Sequence, residues 1–338
     1  MRRFYVVWAC LLVLCSSAAG QEISTSTIRF TGICDASAAV HIKDDLVAIA
    51  DDEDNSIRIY SALLGGKPVF VANLSRFLAA EPRYPEADLE AGARIGDRIY
   101  WITSHGRNAA GNYRRNRGQF FATSIKETNG AVSLEPLGTP YRHLLGDMFA
   151  NPLLASLNLE TAALRPPKNP GALNIEGLAA TPEGHLLIGF RNPIPKGRAV
   201  IVPLLNPEEL RVSKPARFGA PILLDLGGLG LRSIASVATG YVIIAGSFDG
   251  GGKSRLYQWA GVGHEPVLLK GIDLGGLNLE AVTEFGGRTD GLGLFMTSDD
   301  GTVQVGGKPC KTLKVSDQKS FRGVLCLDPK ALQPVDED

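Results

Sequence analysis

The chain has 338 residues, 44% of them hydrophobic and 21% charged, and its 35 basic side chains balance 35 acidic ones. A chain without net charge has no global field to gather nucleic acid or an anionic membrane, so neither is an expected partner. The length allows one or two domains and the apolar content a sizeable core.

Residues 1–20 read as a cleavable secretory signal. Arg2 and Arg3 precede an apolar run over 4–15, and Ala18-Ala19-Gly20 stands before Gln21. That run falls short of the roughly 20 residues that span a bilayer, so no membrane span is expected. The expected mature chain, 21–338, is secreted or periplasmic and carries 33 basic against 35 acidic residues. It keeps Cys34, Cys310 and Cys326 in an oxidising compartment, where pairing is the default. Cys310 and Cys326 are close in sequence and flank a strand connection. They are expected to join, leaving Cys34 as the odd thiol.

In chain order an isolated strand comes first, at 25–31. A unit then recurs five times, opened by a motif of the form small-or-polar, apolar, usually Glu, then Ala, Gly or Ser. It stands at Asp35-Ala36-Ser37-Ala38, Asp88-Leu89-Glu90-Ala91 and Asn174-Ile175-Glu176-Gly177. The last two copies align without a gap over 225–234 and 273–282, which sets Gly230 and Arg232 opposite Asn278 and Glu280. Second strands follow at 46–50, 98–103, 185–190, 241–246 and 293–297, short and rich in Val, Ile, Leu and aromatics. Third strands are predicted at 56–61, 119–125, 199–204, 255–259 and 321–327, and fourth strands at 68–74, 131–137, 221–226 and 266–274. The fifth unit lacks a fourth strand, which the orphan at 25–31 can supply. The spacing predicts an all-β fold in one domain: a β-propeller of five four-stranded blades closed by the N-terminal strand. An insertion at 139–173 has helical spacing around 141–159, and a sixth, degenerate blade there is the alternative.

Two paired segments resemble an uncharacterised family of exported bacterial proteins, a domain of unknown function. They are Asp88-Leu89-Glu90-Ala91 with Tyr100-Trp101-Ile102-Thr103-Ser104-His105, and Asn174-Ile175-Glu176-Gly177 with Gly189-Phe190-Arg191-Asn192-Pro193. The resemblance covers nearly all of the mature chain. More loosely, the acidic openings are similar to esterase-like propellers related to phytases. The resemblance implies a propeller and brings no catalytic residues with it.

In a propeller the start of the first strand and the end of the second share one face, so two rings of residues should meet at one mouth. The first ring is Ser37, Glu90, Glu176, Arg232 and Glu280, with Asp35, Asp88, Asn174 and Asn278 two residues earlier. The second is Asp52, His105, Arg191, Phe248 and Asp299. Glu90, Glu176 and Glu280 crowded at an axis would raise one another's pKa. Either Arg232 offsets them or a hard cation does, calcium being suited to six to eight oxygens. In the plainer reading, Arg232 and water satisfy the carboxylates and the motif only fixes strand geometry. His105 is the candidate base and Arg191 a fork for an anion, although either can equally serve a turn. The basic run Tyr113-Arg114-Arg115-Asn116-Arg117 reads as a solvated loop on the same face. Asp51 to Asn55 lacks the glycine and closing glutamate of a calcium loop and reads as an Asp-rich turn. The expected function is binding of a small polar or anionic molecule, or a metal, at the channel mouth. A metal-dependent hydrolase of phosphate esters or lactones is the alternative, and an envelope interaction protein a third.

Overall fold

Short runs of β-branched and aromatic residues between Gly, Asp and Asn turns favour antiparallel hairpins. The computed structural model describes residues 25–269, 276–286 and 293–326. Its first strand, β1 (Thr25–Thr31), joins the last blade. The first blade is β2 (Ala36–Lys43), β3 (Leu46–Asp51), β4 (Ser56–Ser61) and β5 (Phe70–Asn73). The second is β6 (Leu89–Ile95), β7 (Arg98–Thr103), β8 (Phe120–Thr128) and β9 (Ala131–Tyr141). The third is β10 (Asn174–Ala180), β11 (Leu186–Asn192), β12 (Ala199–Leu204) and β13 (Ile222–Leu224). The fourth is β14 (Gly230–Val237), β15 (Gly240–Gly246), β16 (Arg255–Trp259) and β17 (Val267–Leu268). In the fifth, β18 (Leu279–Phe285) and β19 (Gly293–Ser298) are followed by a small ribbon, β20 (Gln304–Val305) with β21 (Lys308–Pro309), and then by β22 (Ser320–Cys326). Contacts run β2 to β6, β10, β14, β18 and back to β2, so the five innermost strands close a ring.

The five-bladed reading holds. The insertion is helical: α1 (Leu144–Ala150) and α2 (Leu159–Ala162) flank a 3₁₀ turn and bury Leu144, Met148, Leu154 and Leu159 beside blades two and three. No sixth blade is formed there. Residues 1–20, with the expected signal, lie outside the described residues, as does most of the strand expected at 266–274.

The core lies between blades. All seven residues of β11 are buried, which is why its sequence runs apolar instead of alternating. Ring closure is both hydrogen-bonded and packed. β1 pairs with β22 along its whole length, from Thr25 opposite Cys326 to Thr31 opposite Ser320. Phe30 of β1 stacks on Phe321 at 4.9 Å and meets Tyr60 of the first blade edge-on at 5.5 Å. Burying one such ring contributes about 1.5–3 kcal/mol.

The disulfide differs from expectation. Cys34 is bonded to Cys310, across 276 residues and with Cα atoms 5.9 Å apart, and Cys326 is buried at the end of β22. The reason is strand length. Cys310 Sγ lies 3.4 Å from the Ser320 amide at the start of β22, and Cys326 is six residues further along. At about 3.3 Å per residue that is roughly 20 Å, far beyond the ~7 Å limit for a bridge. The bond instead ties the entrance of blade one to blade five, a second clasp beside β1. Replacing both Cys34 and Cys310 by serine should cost about 2–5 kcal/mol in urea unfolding. Non-reducing peptide mapping that joins Cys326 to either residue would contradict this pairing.

Candidate functional site at the channel mouth

In every blade the first two strands slip register within the motif, and the extra residue there is Ser37, Glu90, Glu176, Arg232 or Glu280; blades one and three slip at a second point as well. Such a bulge sets two residues against one, bends the strand and re-aims a side chain. Repeated five times at the same end of the innermost strand, it turns these side chains toward one another across the axis. A small residue follows each, and at Gly177 packing is tight: a Cβ there would lie 3.0 Å from the Gly189 Cα. Gly230 replaces the acidic or amide residue of the other blades because a Cβ there would clash with the Arg191 carbonyl oxygen.

On the side of blades three to five the charges are paired. Glu176 accepts hydrogen bonds from Asn174 Nδ2 at 2.7 Å and Arg191 Nη1 at 2.6 Å. Arg191 also donates to the Ser247 carbonyl at 3.0 Å, which fixes its fork. Arg232 donates to Asn278 Oδ1 at 2.8 Å and to Glu280. Its Nε and Glu176 Oε2 are buried without hydrogen-bond partners, 3.9 Å apart. Burial pushes Glu280 up to about 7 against the opposing pull of Arg232. Asn278 donates to Asp299 Oδ2 at 3.1 Å, so the second ring does meet the first.

The opposite side is short of cations. Asp88, in the left-handed region at φ 62°, is held by Arg117 at 2.7 Å, and Arg117 also pairs with Glu86. Burial still lifts Asp88 to about 7. Glu90 finds no hydrogen-bond partner among the described residues; burial first, then Asp88 and Glu176, push its pKa well up. Asp35 faces Asp299 and is raised to about 8 by burial and then by that neighbour. Asp52 is raised by burial and by Asp88, and its buried Oδ1 has no partner.

The expected triad of Glu90, Glu176 and Glu280 is not where carboxylate oxygens gather closest. Arg191 and Arg232 already occupy Glu176 and Glu280. Among the described residues, the cluster with ligand atoms within 4.8 Å of one another is Asp35, Asp52 and Glu53. The Asp-rich segment thus does two things. Asp51 accepts from the Glu53 amide at 2.8 Å and Asp54 from the Ser56 amide at 2.8 Å, which makes the turn. Asp52 and Glu53 are left over and face Asp35. Glu53 also pairs with Lys311 at 3.4 Å. Sequence reasoning placed Asp35 and Asp52 at the mouth but missed Glu53, Lys311 and the role of Arg117. The acidic run 51–54 was the available signal for Glu53.

His105, also left-handed at φ 55°, is buried and is not one of the clustered ligands. Its Nδ1 lies 2.8 Å from the Thr103 carbonyl, which can only accept, so Nδ1 carries the proton. Burial lowers its pKa to about 4, which makes it a weak base. It lines a different cavity, under the helical insertion, together with Arg107, Arg114 and Arg142.

Residues 142–277, from the insertion through blade four, match the family described as Protein of unknown function (DUF3616). No curated protein sequence matches the chain. Solved structures with a similar fold include glutaminyl cyclase from Myxococcus xanthus, with 11% identity over 90% of this chain and 97% of that one at a TM-score of 0.44. The PQQ-bound aldose sugar dehydrogenase from Streptomyces coelicolor gives 12% identity over 90% and 99%, with a TM-score of 0.40. The GH43 protein BlXynB from Bacillus licheniformis gives 8% identity over 92% and 58%, with a TM-score of 0.47. Likeness at this level carries nothing about activity.

Proposed function

We propose that the channel mouth binds a divalent oxygen-seeking cation, calcium by its donor set, and through it a small polar or anionic molecule. The carrying observation is the Asp35–Asp52–Glu53 cluster, whose oxygens lie within 4.8 Å and include the buried, unpartnered Asp52 Oδ1. Two oxygens sharing one calcium at 2.3–2.6 Å lie at most about 5 Å apart, so the cluster fits. Protons are the alternative occupants, in keeping with the raised pKa values of Asp35 and Asp52. The hydrolase reading uses the same ion but needs a base beside it. His105 lines another cavity, which favours binding over catalysis.

An exported location, secreted or periplasmic, is part of this reading and is supported by the Cys34–Cys310 bridge, since such bonds persist in oxidising compartments. Among the described residues no helix is long and apolar enough to cross a membrane.

Titration calorimetry of chelator-stripped protein should show one calcium site and weaker magnesium binding, because magnesium demands stricter octahedral geometry. Asp52→Asn should weaken calcium at least about tenfold, or ~1.4 kcal/mol. Absence of heat, together with an unchanged melting temperature in millimolar calcium, would sink the cation site.

A further inference from the structure

We infer that the cavity between the 105–118 connection and the helical insertion is a second ligand site, for a small organic oxyanion that carries a neighbouring hydroxyl on an apolar body. The cavity measures about 420 Å³. It opens off blade two, and none of Asp35, Asp52 and Glu53 lines it, while Arg117 of its wall also holds Asp88 at the mouth.

Its charge is unbalanced. Arg107 donates through Nε to the Ala163 carbonyl and through Nη1 to the Gly111 carbonyl. Arg114 lies over the Tyr84 ring at 3.8 Å. Arg142 donates to the Leu78 carbonyl at 2.7 Å and to Gln119 Oε1 at 3.2 Å, and its buried Nε has no partner. None of these three guanidinium groups has a carboxylate partner among the described residues; Arg117, the fourth on the wall, is held by Asp88 and Glu86, and the acidic residue of the wall is the exposed Glu160. A guanidinium cannot shed its charge, so an anion is the natural complement.

The second observation is His105, which is 7% exposed, lines the cavity and has a buried Nε2 without a partner. Because Nδ1 holds the proton, Nε2 is an acceptor. A bare carboxylate or phosphate would set lone pair against lone pair there. The ligand must therefore bring a donor next to its anionic group, such as the hydroxyl of a hydroxy acid or the P–OH of a phosphate monoester. Beside Tyr113, Arg117 and His143, the wall carries an apolar stretch of Leu145, Phe149, Ala163 and Leu164, which suits an apolar ring or chain.

Four probes separate these requirements: mandelate, phenylacetate, phenyl phosphate and benzyl alcohol, each titrated by calorimetry into the full mature chain in excess chelator. Chelator keeps the mouth cation-free, so a failure here is separable from failure of the calcium site. Mandelate should bind at least about tenfold more tightly than phenylacetate, because omitting a donor leaves a buried acceptor unpaired. Benzyl alcohol should not bind. Tighter binding of phenyl phosphate than of mandelate assigns the headgroup to phosphate, and the reverse assigns it to carboxylate; either supports the site. Arg142→Gln should weaken both anions at least about tenfold. His105→Asn, which tolerates the left-handed backbone, should erase the preference for mandelate over phenylacetate while keeping the parent's melting temperature within a few degrees. Equal binding of benzyl alcohol and mandelate, unchanged affinity in Arg142→Gln, or no binding of any anion at 10 mM (about −2.7 kcal/mol) would overturn the inference.

Discussion

Arg232→Met should lower stability by about 3–5 kcal/mol at pH 8, the loss expected when one partner leaves a buried charge arrangement. Arg232 is 7% exposed and donates to Glu280 and Asn278, with Glu176 alongside at 3.9 Å. Methionine keeps much of the length and removes the charge, so two carboxylates facing the axis lose a shared counter-ion. The parent chain itself indicates how large the effect is: even with Arg232 present, burial raises Glu280 to about 7. Without it, Glu280 must either stay protonated or sit buried as an anion, so the loss should shrink on going from pH 8 to pH 5.5. Glu280→Gln should be milder than Arg232→Met, because it relieves repulsion and keeps shape. The double variant should recover part of the loss. Urea unfolding of the four proteins at both pH values tests this. A single Arg232→Met change that melts within ~0.5 kcal/mol of the parent would mean that the axial ring does not depend on its cation.

The blade plan could be read from the chain because each second strand is buried on both faces and must be continuously apolar. β7 (98–103), β4 (56–61), β12 (199–204), β16 (255–259) and β1 (25–31) lie on the predicted residues. The five-fold motif was legible for the same reason: one bulge recurs with one residue pattern. That a bulge was the cause could not be read, since strict alternation of side chains already accounts for residues two apart sharing a face. Asn174 and Glu176 do meet, at 2.7 Å. The site's polarity was only half visible. Arg232 stood out by replacing Glu in an aligned repeat. Arg117 belongs to a loop, and its pairing with Asp88 across 29 residues has no periodic signature. The cysteines misled because nearness in sequence is a poor guide along a strand: six residues of β22 separate what sixteen positions in sequence seem to bring together, while ring closure brings Cys34 to Cys310.

The pH dependence of the chelated protein should run opposite to that of a protein held by ordinary ion pairs: it should lose stability as pH rises from about 6.5 to 8. Asp35 is raised to about 8 by burial and Asp299, Asp51 to about 7 by burial and Asp54, and Asp88 and Glu280 to about 7 chiefly by burial. A carboxylate whose folded pKa exceeds its unfolded one binds more protons in the fold. Its stabilising contribution is complete below the unfolded value near 4 and is lost as pH climbs through the folded one. Each carboxylate still protonated only in the fold adds a slope of about 1.4 kcal/mol per pH unit. His105 acts the other way, since burial lowers it to about 4. Its contribution is lost as pH falls from about 6.5 to 4, so it opposes the carboxylates there and leaves the interval above 6.5 free of its influence. Calcium should flatten the decline. It binds the ionised carboxylates, so its stabilisation, about 2.7 kcal/mol at a hundredfold excess over Kd, should be larger at pH 8 than at pH 6. Melting curves from pH 6 to 8.5, in chelator and in millimolar calcium, give both halves. A chelated protein that gains stability across this interval would show that the mouth carboxylates are already ionised and neutralised by other groups, and the cation site would lose its physical basis.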